Sequence, residues 1–112
     1  MQNPAAILVA LRPFTRNDWY GFAGAECFAD GSEPLIGIVT TGGAETCVIV
    51  DAAGVSFNFA NEDGDFAAWM LDIPAKAAAT AIANAALPRL ASLSTIGAVG
   101  EVAASLGLDR IA

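Results

Sequence analysis

The residues best suited to chemistry are three carboxylates in one predicted turn, Asn61-Glu62-Asp63-Gly64-Asp65. A calcium-binding loop places oxygen ligands at alternate positions, with a glycine after the third ligand and a glutamate at the twelfth position. Here the glycine comes too early, and the twelfth residue is Asp72. Glycosidases also use paired carboxylates, but they need a deep cleft that a chain of 112 residues can hardly build. We therefore interpret this segment as a solvated hairpin tip.

Nucleophilic catalysis has little support in the sequence. The chain contains no histidine, so the commonest general base and the commonest metal ligand are both absent. Cys27 would need an activating base, and the sole lysine, Lys76, would have to provide it. We predict that the protein is not an enzyme and that it uses no metal or other cofactor. Cys27 and Cys47 form no CxxC pair, so we expect two buried thiols, while a disulfide between them stays an open alternative.

Composition limits the classes of partner. Twelve acidic and five basic residues give a net charge of −7, which argues against direct nucleic-acid binding because Lys and Arg bind the phosphate backbone. Hydrophobic residues make up 55% of the chain, which excludes intrinsic disorder. The apolar stretch Ile73–Ala91 contains charged and polar residues, and the run Ala5–Leu11 has neither a preceding basic residue nor a cleavage site. We expect no signal peptide, no membrane partner and a cytoplasmic location.

The elements that position these residues are predicted from turn signals and from hydrophobic spacing. Glycine-containing turn pairs recur every ten to twelve residues between short β-branched and aromatic runs, which is typical of an antiparallel meander. The predicted strands are Ile7–Arg12, Leu35–Thr41, Thr46–Asp51 and Val55–Ala60. The segment Asp65–Ile73 fits either a helix or a strand, and the preceding Asp63-Gly64 turn favours a strand.

Two of these strands carry specific expectations about burial. Thr46–Asp51 is apolar on both faces, so we predict a central strand that helices or a partner chain cover on both sides. In Val55–Ala60 the apolar residues alternate with Ser56 and Asn58. This alternation predicts one face in the core and one face in water.

Helices are predicted both before and after the meander in the sequence. Helical spacing indicates a short helix over Arg16–Glu26, with Trp19 and Phe22 in the core and Tyr20 on the surface. The predicted fold class is α+β, a single domain over residues 1–112. It combines an antiparallel β-meander of four to five strands with this short N-terminal helix and two C-terminal helices.

Proline and glycine set the expected limits of the two C-terminal helices. Pro74 is expected to open the first of them, which ends or kinks just before Pro88. The last helix is expected to begin after Ser94 or Thr95, with Gly107 as its C-cap.

The N-terminal half resembles one known family. Leu11-Arg12-Pro13-Phe14-Thr15, followed by Asp18, resembles the opening of the GNAT acyltransferase superfamily, and Pro34–Val39 is similar to that family's second strand. The resemblance implies an acyltransferase-like fold. However, the family's Gln/Arg-x-x-Gly-x-Gly/Ala loop, which binds the acetyl-CoA pyrophosphate at a helix N-terminus, has no counterpart in the second half of the chain. A relative of this kind would have lost its cofactor site.

These observations favour a small, acidic, non-enzymatic protein that acts by protein–protein binding. The acidic residues fall mainly at the predicted turns of the meander, and they form an electronegative rim if these turns lie at one end of the sheet. Such a rim would be attracted to a basic surface, and would occupy a nucleic-acid-binding surface of a host defence protein if the chain is a phage-type inhibitor. The alternatives are a structural subunit of a virion or scaffold-type assembly, and a degenerate acyltransferase-like domain. So apolar a chain is also expected to form a homodimer. The candidate partner-binding residues are Tyr20, Asp30, Glu33, Glu45, Glu62, Asp63 and Asp65.

Overall fold

The computed structural model describes residues 9–10 and 26–112, and its centre is an antiparallel sheet whose strands follow chain order. Four long strands form a meander, and a two-residue strand extends each edge. The strands are β1 Val9–Ala10, β2 Leu35–Thr41, β3 Ala44–Asp51, β4 Gly54–Asn61, β5 Phe66–Asp72 and β6 Asp109–Arg110. The predicted α+β meander is confirmed, and the segment before Pro74 is a strand.

Tight turns fix the register of the meander. Gly42 and Gly43 join β2 to β3 with φ of 55° and 78°, the positive values that a two-residue hairpin turn requires at both positions. Gly54 opens β4 with φ of 131°, and a Cβ atom there would collide with the backbone of Leu71 on β5. These turns and the close approach of β4 to β5 therefore depend on glycine, which has no Cβ atom.

Two helices, α1 (Lys76–Leu90) and α2 (Ile96–Ser105), cover one side of the sheet, which we call the helix face. Val48, Phe57 and Trp69 lie side by side across β3, β4 and β5 and belong to the hydrophobic core beneath the helices. Leu87 and Leu90 are the largest fully buried side chains that α1 contributes. Full burial of a side chain of this size contributes about 1.5–3 kcal/mol.

The opposite side of the sheet, which we call the second face, is also buried along its middle. Cys47, Asn58 and Ala68 are in register on β3, β4 and β5 and are at most 1% exposed, yet none of them belongs to the core beneath α1 and α2. Ser56 is 3% exposed. The expectation that Ser56 and Asn58 face water is therefore wrong, because β4 is an interior strand with both faces buried. β3 lies between β2 and β4, and all its residues are buried except Glu45, which is half-buried. The prediction of a central strand that is covered on both faces is therefore confirmed.

The first helix differs from its expected limits at both ends. Pro74 and Ala75 precede α1, and Ala75 is the N-cap residue in an extended conformation. Pro88 lies inside the last turn of α1 rather than beyond its end. A proline so close to the C-terminus removes one backbone hydrogen bond, while the amide of Ala91 still donates to the Leu87 carbonyl at 3.1 Å. The helix therefore continues past the proline.

The second helix begins after Thr95, as its sequence predicts, and its C-cap residue is Leu106, one position before the expected Gly107. The Thr95 hydroxyl accepts a hydrogen bond from the amide of Ala98 at 3.2 Å, which caps the N-terminus. Gly107 has a φ of 88°, and the amide of Leu108 donates back to the Ala103 carbonyl at 2.9 Å. This C-terminal geometry reverses the chain, so that it returns along the edge of β5.

Some predictions fall on residues that the structure does not describe. These are the helix over Arg16–Glu26, apart from its last residue, and most of the predicted strand Ile7–Arg12. The two cysteines do not form a disulfide with each other. Cys27 is exposed because it lies in the loop before β2, so the expectation of two buried thiols holds only for Cys47. Neither described helix is long and apolar enough to span a membrane.

Candidate binding surface

The predicted acidic residues lie at two opposite ends of the sheet. The turn end comprises the β2–β3 and β4–β5 turns, and its acidic residues are Glu45, Glu62, Asp63 and Asp65. Asp30 and Glu33 lie in the loop before β2, at the other end, about 25 Å away along the strands. The six residues therefore do not form one continuous rim. Tyr20 is outside the described residues.

Asn61 fixes the conformation of the β4–β5 turn. Its side-chain oxygen accepts hydrogen bonds from the amides of Asp63 at 3.1 Å and Asp65 at 2.9 Å. Its side-chain amide donates to a carboxylate oxygen of Asp65 at 3.1 Å. The main chain adds a bond from the Gly64 amide to the Asn61 carbonyl. Asp65 is therefore part of the scaffold of the turn, whereas Glu62 and Asp63 are exposed and their carboxylates take no part in this hydrogen-bond network.

The two turns of this end are joined to each other. The amide of Glu62 donates to the carbonyl of Gly43 at 3.0 Å. A Cβ atom at Gly43 would lie 2.8 Å from the carboxyl carbon of Glu62, so this side chain rests on the neighbouring turn. On the other side, the Ser94 side chain approaches Gly42. The two turns that carry the carboxylates of the turn end are thus held against each other by these contacts.

The negative charge of the turn end is not neutralised within the described part of the chain. Within residues 26–112, no Lys or Arg side chain forms an ion pair with the four carboxylates of the turn end. The Lys76 ammonium instead donates to the Ser32 hydroxyl at 2.9 Å and lies 4.7 Å from the centre of the Phe28 ring. The Arg110 guanidinium lies 5.5 Å from the Trp69 ring. Arg89 is exposed in the last turn of α1 and forms no ion pair with these carboxylates either, so the four carboxylates are available to a partner of the opposite sign.

The opposite end of the sheet has mixed charge. Asp30 accepts hydrogen bonds from the hydroxyl of Ser32 at 2.6 Å and from its amide at 2.8 Å. The hydroxyl bond, followed by the amide bond, lowers the pKa of Asp30 below its usual value. Lys76 lies in the same small cleft of about 390 Å³, between Asp30 and Pro74. Asp30 therefore organises its own loop, and Glu33 is the candidate residue at this end with an exposed side chain and no such role.

The sequence reasoning missed two residues that build the turn end, Asn61 and Gly43. Asparagine at the start of a turn bonds amides two residues on, so the spacing Asn61 to Asp63 carried a usable local signal. The contact between Gly43 and Glu62 joins two turns that are distant in sequence. No local pattern could have revealed it.

The chain was compared with known proteins by family model, by sequence and by structure. No family model, no curated protein and no solved structure matches it. The resemblance to the GNAT superfamily therefore stays a prediction, and its most specific part, Leu11–Asp18, lies outside the described residues. Within the described ranges no group of three or more His, Cys, Asp and Glu side chains is placed to hold a metal ion.

Proposed function

We propose that this protein is a non-enzymatic interaction protein that uses its turn end to bind a basic surface of a protein partner. The supporting observation is the set of four carboxylates on two joined turns, without a neutralising cation in the described part of the chain. Because hydrogen bonds already fix the turns, little conformational freedom is lost on binding. Exposed charges of one sign also accelerate association with an oppositely charged partner.

The partner proposed here carries a surface rich in Lys and Arg, of the kind that otherwise binds nucleic acid. A protein that occupies such a surface excludes the nucleic acid from it. A phage-type inhibitor of a host defence protein would work in this way. The net charge of −7 and the small size of the chain support this finer proposal.

The test reverses the three carboxylates of the turn end that take no part in the Asn61 hydrogen-bond network, and it keeps the scaffold of the turn. The variant combines Glu45→Lys, Glu62→Lys and Asp63→Lys, and it retains Asp65 because that carboxylate accepts the Asn61 amide. We expect binding to a basic nucleic-acid-binding protein, measured by surface plasmon resonance, to weaken at least about tenfold, since each lost or reversed charge pair contributes up to about 1 kcal/mol. Duplex DNA should compete with the unmodified protein for the same surface.

A matched control separates a local site from net charge. Asp72→Lys, Glu101→Lys and Asp109→Lys change the charge equally at exposed positions away from the turn end. We expect this control to weaken binding less than threefold, with a circular dichroism spectrum and melting temperature close to those of the unmodified protein. Equal loss in both variants, or no loss in either, would contradict the proposal.

A structural subunit is the second candidate, and the outer side of α1 favours it. Ala77, Ala81 and Ala85 are exposed there, and a shallow, mainly apolar groove of about 590 Å³ runs beside them to Leu35. Small side chains let a second helix approach closely. If this surface assembles, the mass from light scattering rises with concentration and Ala81→Glu abolishes the rise. A constant monomer mass would remove this candidate.

The acyltransferase-like alternative makes a separate prediction. Residual cofactor binding would raise the melting temperature in saturating acetyl-CoA, because a ligand that binds only the folded state stabilises it. An unchanged melting temperature would eliminate the alternative.

A further inference from the structure

The two edges of the sheet differ in how they are protected. β6 adds a charged edge beyond β5, since it consists of Asp109 and Arg110. On the outer edge of β2, β1 pairs with Leu35 and Ile36 only. The stretch of β2 over residues 37–41, which we call the free edge, has no further strand partner among the described residues. An unpaired strand edge of this kind is a template for another strand.

The free edge lacks the features that normally prevent strand pairing. Proteins protect exposed edges with lysine, with proline or with a bulge. The free edge contains neither a charged residue nor a proline, and its register with β3 runs without a bulge. Ile38 on it is large and apolar but 42% exposed, and Thr40 is exposed as well. The free edge is therefore suited to pair with another neutral, β-branched strand.

A neutral surface continues from the free edge onto the helix face. The groove of about 590 Å³ lies between Leu35 of β2 and the exposed Ala77 and Ala81 of α1. Between Lys76 and Arg89, α1 contains no charged residue. Two copies of a chain with a net charge of −7 repel each other, so a contact between copies is least unfavourable where the surface is neutral. The free edge and the groove together form such a surface.

We propose that the free edge pairs antiparallel with the free edge of a second copy of this chain, which joins the two sheets about a two-fold axis. The register that pairs the whole free edge places Val39 opposite Val39 of the second copy, and Ile38 opposite its Thr40. The axis is perpendicular to the sheet, so both helix faces lie on the same side and the two grooves face each other. Pairing stops at two copies, because the edges that remain are formed by β6 with its two charged residues.

The distribution of charge favours the antiparallel arrangement. It places the turn end of one copy beside the opposite end of the other copy, where Lys76 lies. The carboxylates of the two turn ends therefore do not face each other, as they would in a parallel arrangement. Both turn ends stay accessible, at opposite ends of the dimer. The dimer contact and the proposed function thus use different surfaces, and either can fail without the other.

Light scattering across a range of protein concentrations tests the dimer in the full-length chain. We expect the mass to level off at twice that of one chain. Ile38→Lys combined with Thr40→Lys puts lysines opposite lysines of the second copy, so the dissociation constant should rise at least about tenfold. The control, Ala104→Lys with Ile111→Lys, makes the same charge change at exposed positions away from the free edge and should leave the mass unchanged. A monomer at every concentration, a mass beyond two chains, or equal effects of both variants would overturn the proposal.

Disulfide formation tests the register and does not depend on how the lysines affect folding. In a background with Cys27→Ser and Cys47→Ala, chains with Ile38→Cys are mixed with chains with Thr40→Cys and oxidised. We expect the mixture to give at least about tenfold more linked dimer than either variant alone, because a disulfide needs Cα atoms within about 7 Å and positions 38 and 40 are directly opposite. Chains with Ile111→Cys alone, exposed at the other edge, measure linkage by random collision. A mixture that links no more than this control would contradict the pairing.

Discussion

Both faces of the sheet are buried along the three central strands, but the central rows of the two faces differ chemically. The helix face presents Val48, Phe57 and Trp69 across its three central strands, whereas the second face presents Cys47, Asn58 and Ala68 at the neighbouring positions. Large apolar side chains fill the space beneath two helices. The second face also buries Ile36 and Ile49, so the smaller and partly polar side chains are confined to its central row. Burial alone therefore does not tell how much each face contributes to stability, but substitutions on each face measure the difference.

The largest expected effect is on the helix face. Phe57 is fully buried at the centre of the core, so Phe57→Ala should lower the free energy of unfolding by about 3–5 kcal/mol through lost burial and the cavity it leaves. Urea denaturation followed by circular dichroism measures the change. Cys47→Ala on the neighbouring strand is the control for the second face, and it should cost far less because it removes one sulfur atom. Equal costs would show that the two faces do not differ as described.

Removing one buried polar group from the second face should stabilise the protein. The Ser56 hydroxyl is buried, and among residues 26–112 it has no hydrogen-bond partner. Ser56→Ala removes this unsatisfied group, so we expect the free energy of unfolding to rise by about 1 kcal/mol. Ser92→Ala, at an exposed position, should stay within about 0.5 kcal/mol of the unmodified protein. A clear loss of stability in Ser56→Ala would show that the hydroxyl does have a partner on the second face.

The wrong prediction that Ser56 and Asn58 face water shows what the residue pattern of a strand cannot determine. Alternation along β4 correctly assigned Val55, Phe57 and Phe59 to one face, because a strand turns successive side chains to opposite sides. What covers the other face is a tertiary property. A polar residue at an alternate position fits water and a buried interface equally well, so the pattern could not distinguish them.

Topology explains the other main difference between expectation and structure. In an up-and-down meander, alternate turns lie at the same end of the sheet. The β2–β3 and β4–β5 turns therefore come together, while the loop with Asp30 and Glu33 goes to the opposite end. This division followed from the predicted strand order, but the spacing of acidic residues along the chain concealed it. The Asn61 scaffold and the Gly43 contact needed atomic geometry.

A smaller effect concerns how closely α2 approaches the helix face. A Cβ atom at Gly100 would meet the Trp69 ring at 3.4 Å, which is ordinary contact, and at Gly97 it would meet nothing within 4 Å. Replacing a helical glycine with alanine stabilises by about 0.5–1 kcal/mol. We expect Gly97→Ala to show the full gain in thermal unfolding and Gly100→Ala to show most of it. Destabilisation by Gly100→Ala alone would mean that the helix must lie closer to Trp69 than this geometry indicates.

The smallest effect lies in the loop that links the two faces. Phe28 in this loop belongs to the core of the helix face, and the Glu26 amide bonds Asp51 of the second face. Between Phe28 and β2, the Ser32 hydroxyl is the main cause of the lowered pKa of Asp30. Ser32→Ala should therefore raise that pKa towards its usual value, while the remaining amide bond keeps part of the shift. Carboxyl NMR titration measures both proteins.

The sign of the pH dependence follows from the direction of the shift. A carboxyl group whose pKa is lower in the folded protein adds stability above its usual pKa, and this contribution disappears as the pH falls through the lowered value. Asp30 is fully exposed, so the change in stability should be small and confined to acidic pH. An unchanged Asp30 pKa in Ser32→Ala would show that the hydroxyl bond does not persist in solution. In that case the loop between the two faces would be held by Phe28 and the backbone bonds alone.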